Sequence, residues 1–303
     1  MTGKNNIAAS VAARLLNQAR KTGADYQTLL TSYCLERFLY RLGVSDRADR
    51  FVLKGAMLLR LWADQPYRAT RDLDLLRRGD MVFASVRDDL AAIVLTAVPD
   101  DGVTFDASAI DLEAIRAEDE YAGARAMLPA RSGSARIRLQ IDMGVGDTVW
   151  PPPKMCAYPT MLDLPAPAIL AYPQEAVVAE KFEAMLVLGD RNSRIKDFFD
   201  IDYLAKHFAF DRATLREAIR RTLARRQTPI PRETPIALTE AYWKNPTRPA
   251  QMRAFATRAG LPIPEHFAET CSQTLSSFLG ALLDDLRTDS NSMGSWPAGG
   301  PWS

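Results

Sequence analysis

The sequence predicts an α+β protein in which N-terminal helices precede a mixed-sheet domain and a helical domain follows it. Three observations carry that expectation. Extended apolar runs are confined to the first half of the chain, at Phe51-Val52-Leu53, at Arg71 to Leu76 and in the strictly alternating segment Arg136 to Asp142. Helical periodicity dominates from Gln174 to Leu286. Between them lies a proline-rich stretch, with Pro151, Pro152, Pro153, Pro159, Pro165, Pro167 and Pro173.

Taken in order, Ile7 to about Leu42 reads as two helices parted near Gly23 and Ala24, the second with Leu29, Leu30, Tyr33, Leu35, Phe38 and Leu39 on its apolar side. Phe51 to Leu53 ends in Lys54-Gly55, after which Ala56 to Trp62 reads as a helix. Arg71 to Leu76 is extended again, and Met81 to Val98 is an amphipathic helix stopped by Pro99. Asp100 to Glu120 is strongly acidic and reads as solvated strand and loop. In Arg136 to Asp142, Ile137, Leu139 and Ile141 share one face, leaving Asp142 on the polar one. The resulting domains are 1–43, 44–165 and 166–289, with a Ser-, Gly- and Pro-rich tail, 290–303, expected to be disordered.

Composition narrows the chemistry. The 303 residues carry a net charge of +1, so any polyanion must be held by a local patch and not by a global field. Cys34, Cys156 and Cys271 are scattered and only two histidines are present, which disfavours a disulfide framework and a zinc site. A reducing cytoplasm and a carboxylate-held, magnesium-type metal fit better. The longest uncharged apolar-leaning stretch, Cys271 to Leu283, is much shorter than the ~20 residues of a membrane span, so no membrane partner is expected. The basic first 24 residues read as an amphipathic helix.

Asp72 and Asp74 stand two apart in an extended segment, which puts both carboxylates on one face and Leu73 and Leu75 on the other. Alone, the pattern is weak: Asp200-Ile201-Asp202 repeats it within a helical pattern where the side chains diverge. Two features strengthen it. Lys54-Gly55 sits at a strand-to-helix junction suited to close approach of a phosphate. Asp142, on the polar face of its strand, is placed to join Asp72 and Asp74 if the strands are neighbours. Three carboxylates beside a phosphate-binding turn suit metal-assisted phosphoryl or nucleotidyl transfer.

These residues resemble a known family. Phe51 to Gly55 followed by Arg68-Ala69-Thr70-Arg71-Asp72-Leu73-Asp74-Leu75 is similar to the first signature of the AbiEii/AbiGii toxin family, minimal nucleotidyltransferases of the DNA polymerase beta superfamily. Glu180-Lys181, then Arg191 to Lys196-Asp197-Phe198-Phe199-Asp200, resembles its helical signature. The resemblance implies that the mixed sheet is a nucleotidyltransferase domain whose active site is completed by the first helices of the helical domain. It further implies that Asp72 and Asp74 hold Mg2+, with Asp142 as third metal carboxylate. Lys54, Gly55, Thr70 and Lys196 would border the nucleoside triphosphate, Lys181 would reach it, and Asp197 would be a catalytic or orienting carboxylate. Relatives commonly follow Lys-Gly with another glycine and a hydroxyl residue; Ala56 and Met57 stand there in this chain, leaving backbone N–H groups to serve.

The same resemblance implies a toxin of a toxin-antitoxin or phage-defence system, with a cognate antitoxin as partner and tRNA or another RNA as acceptor. A kinase-like phosphotransferase and a catalytically silent RNA- or antitoxin-binding module are the alternatives. From the residues alone, Lys181 reads as a lysine whose stem covers apolar surface, and Lys196 with Asp200 as a surface pair worth ~0.3–0.5 kcal/mol. Six arginines between Arg212 and Arg226 form either a phosphate-backbone track for a nucleic acid or ion pairs with the acidic segment Asp100 to Glu120 or with an acidic antitoxin, and Tyr242 and Trp243 either stack a base or belong to the core.

Overall fold

The computed structural model describes residues 6–62, 70–116 and 122–303. The chain folds as two compact units, one comprising Met1–Gly146 and Lys154–Ala171, the other Asp147–Pro153 and Tyr172–Ser303.

The first unit opens with α1 (Ile7–Thr22) and α2 (Tyr26–Val44). Asp25 caps α2 by accepting from the Thr28 backbone N–H at 2.8 Å. Then follow β1 (Phe51–Lys54), a 3-10 turn over Gly55–Leu58, α3 (Leu59–Trp62), β2 (Asp72–Arg77), α4 (Phe83–Leu95), β3 (Thr104–Phe105), β4 (Asp111–Arg116), β5 (Ala122–Ser132), β6 (Ala135–Val145), β7 (Lys154–Ala157) and β8 (Ala168–Ala171). The strands form one sheet in the order β3-β5-β6-β2-β1-β8-β7, with β4 also paired to β5. The sheet is mixed: β2 runs parallel to β6 and β1 parallel to β8, while the remaining pairings are antiparallel.

Burial follows the alternation. Leu73 and Leu75 of β2, Leu139 and Ile141 of β6 and Ala124, Ala126 and Leu128 of β5 are fully buried, as are Tyr33, Leu35, Phe38 and Leu39 of α2, which packs on the sheet. Strand β5 escapes a propensity reading because alanine and Pro129 occupy its core. Its ten-position register with β6, from Gly123↔Gly144 to Ser132↔Ala135, supplies the backbone pairing that propensity does not.

The second unit contains α5 (Gln174–Leu188), α6 (Ile195–His207), β9 (Phe210–Asp211), α7 (Arg212–Arg225), α8 (Glu240–Trp243), α9 (Arg248–Ala259), α10 (Phe267–Thr288) and β10 (Ser295–Trp296). Two sequence expectations are corrected here. The proline-rich stretch does not end the sheet unit at residue 165, because β8 within it pairs with β1 through Leu53↔Ala171. The tail is not disordered: β10 pairs with β9, Trp296 is buried with its Nε1 donating to the Ala205 carbonyl at 2.7 Å, and the Trp302 ring stacks on Phe278. Two indoles give this Gly- and Pro-rich segment the apolar area its overall composition lacks.

Candidate active site

In the sheet unit, the register aligns four charged residues across four adjacent strands. Lys54 of β1 is opposite Asp74 of β2, Asp74 is opposite Asp142 of β6, and Asp142 is opposite Arg125 of β5. Directly opposed residues project on the same face, so the row reads cation, carboxylate, carboxylate, cation. Asp72, two positions before Asp74, shares that face and is opposite Gln140. Asp72 and Asp74 are half-buried, whereas Leu73 between them is fully buried on the other face.

Local contacts shape this row. The Thr70 hydroxyl donates to the Asp72 carboxylate. Arg71 fastens the start of β2 to α2, its guanidinium donating to the Thr28 hydroxyl at 2.9 Å. Gly55 sits at φ +72°, and a Cβ added there would overlap the Asp74 carboxylate. The turn therefore requires glycine for its backbone conformation and for the space Asp74 occupies. Over the described residues the predicted helix Ala56 to Trp62 begins as a 3-10 turn, Gly55–Leu58, and is α-helical from Leu59 to Trp62. Met57 is buried and serves packing. Arg68 and Ala69 lie outside the described residues, as do Glu118, Asp119 and Glu120 of the acidic segment.

Asp142 is engaged differently from the three-carboxylate arrangement expected of the sequence. Arg125 grips both its oxygens, Nε to Oδ1 at 2.8 Å and Nη2 to Oδ2 at 2.9 Å, and the Gln140 amide donates to Oδ2 at 3.1 Å. The hydrogen bond to Asp142 raises the Arg125 pKa, against partial desolvation. Among the described residues, no three His, Cys, Asp or Glu side chains group to hold a metal ion. Asp72 and Asp74 nevertheless fit a hard divalent cation: two carboxylates on one strand face, backed by a glycine turn, leave further oxygen positions to phosphate and water.

In the helical unit, α5 and α6 build a second cluster. The Lys181 ammonium lies 2.6 Å from Asp197 Oδ1 and 2.9 Å from Asp200 Oδ2. Both carboxylates are buried, and Asp197 stands in the first turn of α6, where the helix dipole favours negative charge. Lys181 is thus an ion-paired lysine and not a plain snorkelling one. Because Asp200 turns inward to Lys181, the expected surface pair with the exposed Lys196 does not form.

The family model described as "Nucleotidyl transferase AbiEii toxin, Type IV TA system" matches residues 37–277. The chain belongs to this family. The family is one of nucleotidyltransferase toxins of type IV toxin-antitoxin systems, which implies a nucleoside triphosphate as substrate and an antitoxin as partner. Among solved structures it is similar to JHP933 from Helicobacter pylori, at 15% identity and a TM-score of 0.51, covering 88% of this chain and 96% of that one. A second H. pylori structure, provisionally named a nucleotidyltransferase, gives 15% identity and a TM-score of 0.49, covering 89% of this chain and all of that one. The first likeness supports the fold. No curated protein matches the chain.

Several residues of this AbiEii-family chain take roles the sequence did not announce. Arg125 lies in the strand that propensity misses. Glu180, beside Lys181, belongs to a half-buried network around Arg226, which meets Glu183 at 2.7 Å, Asp147 at 3.1 Å and Glu180 at 3.7 Å. Burial opposes the Arg226 charge, but these three acids outweigh it and raise its pKa. The arginines of α7 are largely occupied within the helical unit: Arg212 chelates Asp285, Arg216 donates to the Ser290 carbonyl and Asn291, and Arg220 and Arg221 both bind Glu217. These partners lie in α7, α10 and the tail, so Arg212, Arg216, Arg220 and Arg221 take a structural role different from the expected pairing with the acidic segment Asp100 to Glu120. Tyr242 is core as well, buried with its ring stacked on Phe198 at 4.4 Å and its hydroxyl donating to the Asn192 carbonyl.

Proposed function

We propose that this nucleotidyltransferase transfers a nucleotide from a nucleoside triphosphate to an RNA, in the first instance the 3′ end of a tRNA, with Mg2+ held by Asp72 and Asp74. The observation that carries this reading is the pairing of those two carboxylates on one face of β2 against the Gly55 turn, in a chain of this family. The acceptor 3′ oxygen forms a bond to the α-phosphorus, the bond from that phosphorus to the bridging oxygen breaks, and pyrophosphate leaves. Magnesium, when bound, supplies activation of the attacking hydroxyl and charge neutralisation of the leaving group.

The chain's own residues do the positioning. Lys54 and the backbone at Gly55, with Thr70 and Lys196, border the nucleotide phosphates. Lys181 supplies positive charge for the triphosphate, and Asp197, with Asp200, fixes its ammonium before the nucleotide arrives, so little reorganisation is needed in the transition state.

The test is to incubate purified protein and total RNA with each nucleoside triphosphate in turn, labelled at the α- or at the γ-phosphate, with and without Mg2+. The expected result is α-label in RNA of tRNA size, together with released pyrophosphate, only with Mg2+. Transfer of γ-label would instead establish a phosphotransferase, and RNA that stays unlabelled under every condition would leave a binding module.

A further inference from the structure

We infer that Arg125 is a positioning residue that withholds Asp142 from the metal, so that the cation site of this chain is a two-carboxylate site with an arginine standing in the third position. The inference rests on the proposed metal role of Asp72 and Asp74 and deepens it.

The register places Asp142 directly beside Asp74 on the same sheet face, where an unclaimed carboxylate would add a third ligand. It is claimed. Arg125, directly opposite on the next strand, makes a bidentate ion pair with both oxygens, and Gln140, opposite Asp72, adds a further hydrogen bond. The planar guanidinium matches a carboxylate in a way no other side chain does. Asp142 retains 18% side-chain exposure and Arg125 35%, so the pair is partly sheltered from solvent screening. Glu113 of β4 lies 3.8 Å from the outer nitrogen of Arg125 and steadies it from the side away from Asp142. A cation reaching for Asp142 would have to displace two charge-assisted hydrogen bonds and would meet the guanidinium charge.

The consequence is that Arg125 sets cation affinity without touching the cation. Removing it frees a carboxylate and deletes a repelling charge, so binding should tighten; neutralising Asp142 alone leaves the Arg125 charge uncompensated but removes no ligand, so binding should weaken only slightly.

The experiment measures Mn2+ binding to nucleotide-free protein by electron paramagnetic resonance, with circular dichroism confirming the fold. Wild type is compared with Arg125→Gln, Asp142→Asn, the double variant and Asp74→Asn. Arg125→Gln should bind Mn2+ about tenfold more tightly, since affinity follows ligand charge count. Asp142→Asn should weaken binding by no more than about threefold, through the Arg125 charge it leaves uncompensated, and the double variant should lose the gain and return near wild type. Should Arg125→Gln misfold, Asp142→Asn decides the matter: a loss of Mn2+ affinity of about tenfold or more there makes Asp142 a ligand and overturns the inference, as does unchanged affinity in a folded Arg125→Gln. If Asp74→Asn binds Mn2+ as wild type does, the metal role of β2 itself fails; if only Asp74→Asn weakens binding strongly and Arg125→Gln tightens it, both stand.

Discussion

On the sheet, Asp72 and Asp74 stay half-buried on a strand face, whereas in the helical unit Lys181 is clasped between Asp197 and Asp200, whose side chains are only 6% and 2% exposed. The sheet cluster holds charge where ligands can reach it, and its carboxylates stabilise the unit little. The helical cluster draws its charges out of water and must keep them paired, because the desolvation cost of each is recovered only from its partner. Substitutions in the two should therefore separate activity from stability in opposite ways.

The largest effect belongs to the sheet. Asp74→Asn keeps the shape of the side chain and its place against Gly55 but removes a charge that the proposed mechanism assigns to Mg2+, so nucleotide transfer should fall by about a thousandfold or more while the urea midpoint barely moves. Asp72→Asn should behave alike. Steady-state transfer assays beside equilibrium unfolding check this; near wild-type Mg2+-dependent activity in either folded variant would remove the strand face from the mechanism.

In the helical unit, Lys181→Met should lower transfer strongly, though by less than Asp74→Asn does, and also destabilise, by about 3–5 kcal/mol, because it removes the cation held between two buried carboxylates. From the sequence alone Lys181 resembled a surface lysine whose loss the fold would tolerate; its burial between Asp197 and Asp200 reverses that expectation. Adding Asp200→Asn to Lys181→Met should restore part of the stability and none of the activity. Full stability in Lys181→Met would mean that the carboxylates find protons or water at no cost, and the contrast between the clusters would collapse.

Gly55→Ala strikes the sheet cluster through its backbone. The left-handed conformation costs a side chain about 1 kcal/mol or more, and the new methyl group must push Asp74 aside. A displacement near 1 Å at a reacting centre is worth about a hundredfold in rate, so turnover should drop on that scale with a modest loss of stability. Crystals of the variant with an unmoved Asp74 would count against it.

The pattern of what could be read beforehand follows from the same physics. Alternation exposed Asp72, Asp74 and Asp142 because a strand's period is two and apolar neighbours mark the buried face. Arg125 stayed hidden because β5 is held by register and not by propensity, and the Lys181 triad because helical spacing does not say which way Asp200 turns. The tail misled through composition: Trp296 and Trp302 outweigh the glycines and prolines around them once Phe278 offers a surface. The arginines of α7 misled through number, since Glu217, Asp285, Asn291 and the Ser290 carbonyl, all within the helical unit, already answer Arg212, Arg216, Arg220 and Arg221.

The smallest expected effect comes from the exposed counterpart of the Lys181 cluster, where Glu217 of α7 sits between Arg220 and Arg221. The hydrogen bond from Arg220 and then that from Arg221 hold its carboxyl well below the ordinary 4.5, at about 2, against slight desolvation. A depressed folded-state value means that the contribution to stability is complete above the unfolded-state value and is lost as pH falls from about 4.5 toward about 2. Exposed helical pairs of this kind are worth only ~0.3–0.5 kcal/mol each, so the stability difference between wild type and an Arg220→Gln, Arg221→Gln double variant should be small at pH 6 and should shrink further by pH 3. Carbon-detected NMR titration of Glu217 gives the sharper reading, near 2 in wild type and close to the ordinary carboxyl value in the double variant. Lys181 and its partners should not respond to that substitution, because a screened surface pair and a buried triad do not share a partner. Were Glu217 to titrate near 4.5 in wild type, the α7 arginines would not be committed to it in solution, and the reading of that helix as a nucleic-acid track would regain its ground.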